Sequence, residues 1–460
     1  MAKGFTMRSW VVFFVVLWAQ VMYAQDVFIE NNPYDQADES VKRQNAFNWE
    51  RWFYEQRMYP NNYLPDDAYV KALRQREEMR SRQEFFASNV VWTNIGPTSG
   101  FYFSYGNISS RITTIQYDPQ NPNVVYLGAA FGGVWKSFDG GATWIPKMHD
   151  EVSLSSGALA IDPTNTWSNY TSGLPTLSYF SRLVIRPQHP NELLAALGRR
   201  NSLGVSGGLY GSTNGGAAWT LIANGRADDV VFSPSGDTAY AIGSGIGYRV
   251  STDGGATFTP VSALAMQTRN HLAVAPSSPN IVFSAHHSSS IGLHVYKSTD
   301  AGATFTRVGT SVNFNGNQAW YDFYIYVNPF DPNYVYVGSI DIWRSTDGGT
   351  TFQNITNGYS GGSVHVDQHN LAFHPTKPDE MFCVNDGGVW HSTNRGTTWT
   401  NRNATLTLTQ FYRIASDPIN WAHLLGGTQD NGTQRTLGSI NWTSAFGGMG
   451  ARCVSIPKTL

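Results

Sequence analysis

Charge is scarce in this sequence. Only 14% of its 460 residues are charged, and the two signs nearly balance, 31 basic against 33 acidic. Such a surface offers no electrostatic footprint for a nucleic-acid partner. Cysteine is almost missing too, and Cys383 and Cys453 are too few for a disulfide framework. Long apolar runs are absent beyond the N-terminus, so no later segment is expected to cross a membrane. These shortages, with abundant aromatics, exclude a disordered chain and a coiled coil. The sequence is instead rich in glycine (45 residues) and tryptophan (15 residues). Many aromatics with many glycines imply short strands, tight turns and a large buried area.

The N-terminus reads as an export signal. Lys3 and Arg8 precede an apolar run from Trp10 to Ala19, and Ala24 offers a small-residue cleavage position. Residues 1–24 are therefore expected to be a signal peptide and the protein to be secreted or held at the cell surface. An uncleaved anchor is the alternative, but the run is short for a span. Residues 25–89 are expected to be helical. Val41, Phe47, Trp49, Trp52 and Phe53 lie in one stretch, Tyr69, Leu73 and Met79 in a second, with Pro60 and Pro65 between them.

From residue 90 to 460 the chain repeats itself. An eight-residue string, Ser-x-Asp/Asn-x-Gly-x-Thr/Ala-Trp/Phe, starts at Ser137, Ser212, Ser251, Ser298, Ser345 and Ser392, spaced 75, 39, 47, 47 and 47 residues apart. A period of about 40–47 residues is that of a four-stranded propeller blade. The first gap is nearly two periods long, and a degenerate blade is expected there, opening at Gly157-Ala-Leu-Ala-Ile-Asp-Pro163. Ahead of each string an apolar strand ends in Pro, as in Ile115-Gln-Tyr-Asp-Pro119 and Leu371-Ala-Phe-His-Pro375, and a second apolar strand follows. Each period thus holds strands A, B, C and D, with the string as the C–D hairpin. The fold expected is all-β: a propeller of about seven blades. In the string, Ser and Asp are turn formers, glycine permits positive φ, and the closing aromatic starts strand D. Val90–Pro97 is expected to be the outer strand of the final blade, beside strands from 411 to about 437, and so to close the ring.

These strings resemble Asp-boxes, the bacterial neuraminidase repeats, from Val90 to about Trp442. Ser110-Arg111-Ile112, Gly132-Gly-Val-Trp-Lys-Ser137, Asn385-Asp386-Gly387-Gly388 and Gln429-Asp430-Asn431-Gly432 make the sequence similar to secreted xyloglucanase-like glycoside hydrolases and to the sortilin propeller. The hydrolase resemblance implies two catalytic Asp residues in a cleft between two propellers. Here Ala130 stands where that family's motif places one of them, and the residues suffice for one propeller. Arg111 and Arg182 open blades as sialidase arginines do, but the full set of three is not evident. The sequence after Trp442 holds no further string, as a fragment of a longer protein would.

The topology sorts the loops onto two faces. The strings and A–B turns share one face, and the B–C turns and D–A links share the other, where propeller ligands bind. The B–C turns of three successive blades present Asp341, Asp386 and Asp430; Asp in such turns also serves the turn itself. His365, Asp367 and His369 lie in one D–A link, and alternate spacing would put them on one side of an extended segment. They can be read as metal ligands, but three on one strand diverge, and a hydrogen-bonded plug of the channel is preferred. No metal or cofactor is expected. Trp320 and Tyr321, with Phe101 to Tyr105, are either core or a platform for a sugar ring. The function expected is a non-catalytic propeller that binds an extracellular glycan or peptide at Asp386, Asp430, Asp341, His365, Asp367, His369, Trp320 and Tyr321. The alternative is a xyloglucanase-like hydrolase, or a fragment of one.

Overall fold

The structure is a computed structural model. It describes residues 94–148, 154–161, 172–175, 179–198, 207–314 and 318–447, together with Asp38 and six residues between 71 and 79. The chain divides into two compact units, Met1–Val90 and Val91–Leu460. In the first, Lys71, Ala72, Arg74, Gln75, Glu78 and Met79 are helical. The signal segment and most of the expected helical stretch lie outside the described residues.

The second unit is a β-propeller. Its described residues form seven sheets, six of them with four antiparallel strands in simple sequence order. Blade one is Ile112–Tyr117, Val125–Ala129, Val134–Ser137 and Ile145–Pro146. The inner strands of the next five begin at Tyr179, Asp229, Arg269, Tyr324 and Gln368. Second strands such as Val125–Ala129 and Met381–Asn385 are buried at every position. They read as unbroken apolar runs because both of their faces pack on other blades. At the end of strand A, the residue before Pro caps the A–B turn. Asp118, Asn328 and Asp417 each accept the backbone N–H two residues on, at 2.8–2.9 Å.

The six eight-residue strings form six equivalent hairpins. In the string at Ser251, the hydroxyl donates to Asp253 Oδ1 (2.7 Å) and accepts Gly255 N–H (2.8 Å). Asp253 then accepts from Thr257 N–H (2.9 Å) and Thr257 Oγ1–H (2.6 Å). The hairpin also bonds to the A–B turn of its own blade, Gly254 N–H to Asp237 O at 2.9 Å and Gly348 N–H to Asn333 O at 3.0 Å. Strings and A–B turns therefore share one face, and the B–C turns lie on the other.

The glycine at the fifth position of the string reveals the order of the ring. A Cβ on Gly255 of blade three would meet Leu194 of blade two. On Gly302 of blade four it would meet Tyr240 of blade three, and on Gly349 of blade five, Phe283 of blade four. The equivalent glycine of blade one, Gly141, meets Phe382 of blade six. Blade six is thus the neighbour of blade one, and one buried cluster joins Ile112, Ile115, Leu127 and Trp135 to Phe382, Val384 and Val389. Between blades one and two lie residues 154–175, where the degenerate blade was expected. Among the described residues of this stretch there is no strand. Leu159 and Ile161 pack on Val124, Tyr126 and Val134 of blade one, while Ser172 O accepts Trp219 N–H of blade two at 3.0 Å.

The seventh sheet departs from expectation. It has six strands: Phe411–Ser416, His423–Thr428, Thr433–Leu437 and Asn441–Phe446, extended by Ser99–Phe101 and Asn107–Ile108. An N-terminal segment does join the C-terminal strands, but it is residues 99–101, parallel to Asn441–Thr443. Residues 94–97 are not strand, although Ile95 O accepts Trp442 Nε1–H at 3.1 Å; residues 90–93 lie outside the described set. This sheet does not lie between blades six and one, so its N-terminal strand does not close the ring. Packing of Phe382 against Gly141 closes it instead.

Candidate functional site

The turns of blade six and of the seventh sheet bring together the carboxyls that the sequence suggested. Asp386 lies in the turn between Met381–Asn385 and Gly388–Ser392 and is fully buried. His369 Nε2–H donates to its Oδ1 at 2.6 Å, and Tyr321 O–H donates to Oδ2 at 2.9 Å. The Tyr321 oxygen in turn accepts from Arg111 Nη1 of blade one. Asp430, in the turn after His423–Thr428, lies close enough to Asp386 for the two carboxyls to shift each other's acidity. Asn431 Nδ2 donates to Asp386 O at 2.9 Å and ties the two turns together.

The two adjacent carboxyls are driven apart in acidity. Against the cost of burial, His369 and Arg111 hold Asp386 down at about 2. Burial, then the hydrogen bond and charge of Asp386, push Asp430 up to about 8. Asp386 is therefore the ionised member and Asp430 the protonated one at neutral pH. Two more acids stand behind them. Burial and the charge of Asp386 raise Asp367 to about 6, and burial and the charge of Asp367 raise Asp322 to about 9. Asp367 accepts from Gln318 Nε2 at 2.9 Å. Asp322 is 1% exposed and faces Asp367.

The remaining candidates fall into different places. Asp341 is buried and its oxygens are occupied within blade five, by Asn354 Nδ2 (2.9 Å), Thr356 Oγ1 (3.0 Å) and Gly358 N–H (2.7 Å). It anchors its own loop rather than joining the cluster. His365 is buried against the Tyr105 ring, 4.6 Å between centroids, with Nδ1 3.0 Å from Val366 O. Burial depresses its pKa, so it sits neutral as a packing group. The alternate spacing read for His365, Asp367 and His369 does not hold, because Asp367 adopts φ 66° and the strand starts only at Gln368. A left-handed residue turns the chain, so the three side chains do not line one side, and among the described residues no three ligand-type groups gather for a metal. Tyr102 and Tyr105 are core. Trp320 is 66% exposed, with its ring 5.6 Å from that of Tyr321.

Sequence reasoning missed Asp322 as a member, although it directly follows Trp320-Tyr321. It reads as a turn acid before the apolar strand Tyr324–Val327. Tyr359 was also missed. It is 72% exposed and lies within electrostatic range of Asp367, Asp322 and Asp430. Below this layer the channel is filled. Arg182 of blade two donates across it to the Tyr326 hydroxyl of blade five at 2.7 Å, and Asp229 lies 3.2 Å from His271 Nδ1.

The comparisons with known proteins agree with the propeller. The Sortilin-Vps10 family profile (sortilin, neurotensin receptor 3) matches residues 293–444. No curated protein sequence matches the chain. Among solved structures, an ancestral enzyme of glycoside hydrolase family 74 superposes with a TM-score of 0.60 at 17% identity, covering 77% of this chain. The chain spans 55% of that enzyme's length. The family 74 enzyme of Niastella koreensis is 20% identical over 80% of this chain and 64% of its own, with a TM-score of 0.41. YCF48 bound to D1 peptide is 15% identical over 62% of this chain and 93% of its own, with a TM-score of 0.45. The likeness to the ancestral enzyme establishes a shared propeller fold; it assigns no activity.

Proposed function

We propose that this protein is a non-catalytic, extracellular binding propeller whose B–C turn face takes a glycan or an extended peptide. The observation that carries the reading is that the buried Asp386 carboxylate is already occupied by His369 and Tyr321, with the exposed Trp320 ring 5.6 Å from that of Tyr321. Glycoside hydrolysis needs its two carboxyls roughly 5–10 Å apart, with the bond or a water between them. Asp386 is 1% exposed and opens onto no such space. At the turn where the hydrolase resemblance implies a catalytic Asp, residue 130 is alanine. Exposed rings beside carboxyls and amides suit binding instead, because they meet apolar faces and polar edges together.

The test is a glycan array and a peptide array probed with the unaltered protein, Trp320→Ala and Asp386→Ala. Binding on the order of micromolar or weaker is expected, lost in Trp320→Ala. Signal unchanged in both variants would place the site elsewhere. Hydrolysis of a polysaccharide by the unaltered protein, abolished in Asp386→Ala, would replace this reading with that of an enzyme.

A further inference from the structure

We propose that one end of the seventh sheet is a lipid-binding surface, which seats the protein on the headgroup region of a zwitterionic bilayer. Asp430 lies in the B–C turn of this sheet; the A–B turn and the C–D hairpin are at the other end, so the surface is separate from the binding site above. Three neighbouring turns there expose five large apolar side chains. Ile419 is 84% and Trp421 78% exposed, and Ile95, Leu437 and Ile440 are exposed beside them. The turns are contiguous. A Cβ on Gly438 would lie 3.6 Å from that of Ala422, and Ile440 O accepts Thr98 N–H at 2.9 Å.

The turns do not need these side chains in order to form. Asp417 caps the N–H groups of Ile419 and Asn420, as Asp118 caps Gln120 and Asn121 in blade one and Asn328 caps Phe330 and Asp331 in blade five. Where the seventh sheet has Ile419 and Trp421, those turns carry Gln120 and Pro122, and Phe330 and Pro332. In the hairpin, Leu437-Gly-Ser-Ile440 stands in place of the Ser-Asp string of the six blades. The polar groups beneath the apolar tips are paired within the turns. Asp417 N–H donates to His423 O (3.0 Å) and His423 N–H to Asn420 O (2.9 Å). Thr436 Oγ1–H donates to Ser439 O (2.6 Å), and Ser439 Oγ accepts Asn441 N–H (3.1 Å). Asp417 is the one acid in residues 417–423 and 436–441, which hold no Lys or Arg, and its carboxylate is engaged by its own turn. Such tips leave water without stranding donors. They are convex, so a rigid partner would need a matching hollow, whereas lipid conforms to them. Aliphatic Ile and Leu favour hydrocarbon and Trp the headgroup boundary. With no basic residue among them, the attraction is hydrophobic and needs no anionic lipid.

The experiment is flotation of the full chain with phosphatidylcholine vesicles at low and high salt. The unaltered protein is expected to float at millimolar lipid, and no less in high salt. Trp421→Ser and Ile419→Ser should each lower the partition coefficient at least about fivefold while the melting curve is unchanged. Phe330→Ser, which removes an exposed ring from the equivalent turn of blade five, should leave flotation as it was. No flotation at millimolar lipid, flotation that needs phosphatidylserine and fails in high salt, or equal effects of Phe330→Ser and Trp421→Ser would each overturn the proposal. So would a concentration-dependent dimer in sedimentation velocity that Trp421→Ser dissolves, since a second copy would then cover the patch. Array signals that depend on Trp320 report the other site, so either reading can fail without the other.

Discussion

Asp430 occupies a left-handed turn at φ 60°, a conformation that Asp tolerates better than most residues, and this aims its carboxyl at Asp386. It holds its proton up to about pH 8, whereas an unfolded Asp loses it near 4. Between those values the folded state binds the extra proton, so the contribution of Asp430 to stability falls as pH rises through that window and is lowest above pH 8. Asp430→Asn removes this liability and can keep a hydrogen bond to Asp386. The variant is expected to be more stable than the unaltered protein at pH 8, by about 1–3 kcal/mol after allowance for solvent screening, and equal to it in stability at pH 4. Melting curves at the two pH values check it; a variant less stable at pH 8 would refute the assignment of the proton to Asp430.

At the scale of the blade, the string at Ser137 offers a test of how the ring closes. Gly140 and Gly141 both have positive φ, 65° and 82°. A Cβ on Gly140 meets nothing within 4 Å, whereas on Gly141 it comes within 2.7 Å of the Phe382 ring. Both alanine substitutions carry the left-handed penalty of about 1–2 kcal/mol. Only Gly141→Ala should add an overpacking cost of about 1–3 kcal/mol, so it should unfold at distinctly lower denaturant than Gly140→Ala. Equal effects would mean that the blade six contact is not what seals the ring. The blades themselves were legible in the sequence because a hairpin string is a local device: Ser, Asp, Gly and Thr satisfy one another within eight residues. The gathering of Asp386 and Asp430 was legible for the same reason, as a consequence of turn position. The place of the final strands was not. Their apolar pattern matches that of a blade, and nothing local distinguishes a sheet within the ring from one outside it. The role of Asp367 was misread because alternation assumes an extended backbone, and a single residue at φ 66° cancels that assumption.

Across the whole molecule, the hairpins act together on acid stability. Hydrogen bonds from Thr257 and Ser251 hold Asp253 at about 2, and Asp300 is lowered to about 2 in the same way by Thr304 and Ser298. Asp139 and Asp347 are also at about 2. Groups depressed in the folded state stabilise it fully above the unfolded value, near pH 4, and lose that contribution as pH falls towards 2. The propeller is expected to lose some stability between those values, a modest amount per hairpin because these carboxylates are exposed to solvent. Asp253→Ala should cost about 1 kcal/mol at pH 7 through its lost turn bonds, and less at pH 2, where the carboxylate is being neutralised in any case. Denaturant unfolding at both pH values measures the difference, and ligand affinity should not change, since the hairpins face away from the B–C turns. A penalty as large at pH 2 as at pH 7 would show that the charge is irrelevant to the turn.

The contact between Phe382 and Gly141 also has a history in time. During synthesis blade one emerges first, and the surface of Ile112, Leu127 and Trp135 that will meet blade six has no partner until nearly the whole array has been translated. A contact so distant along the chain forms late, since its loop must be closed before packing rewards it. The growing ring is therefore an open arc with an apolar end. That end is where a nascent chain would most readily adhere to another copy or be met by a chaperone.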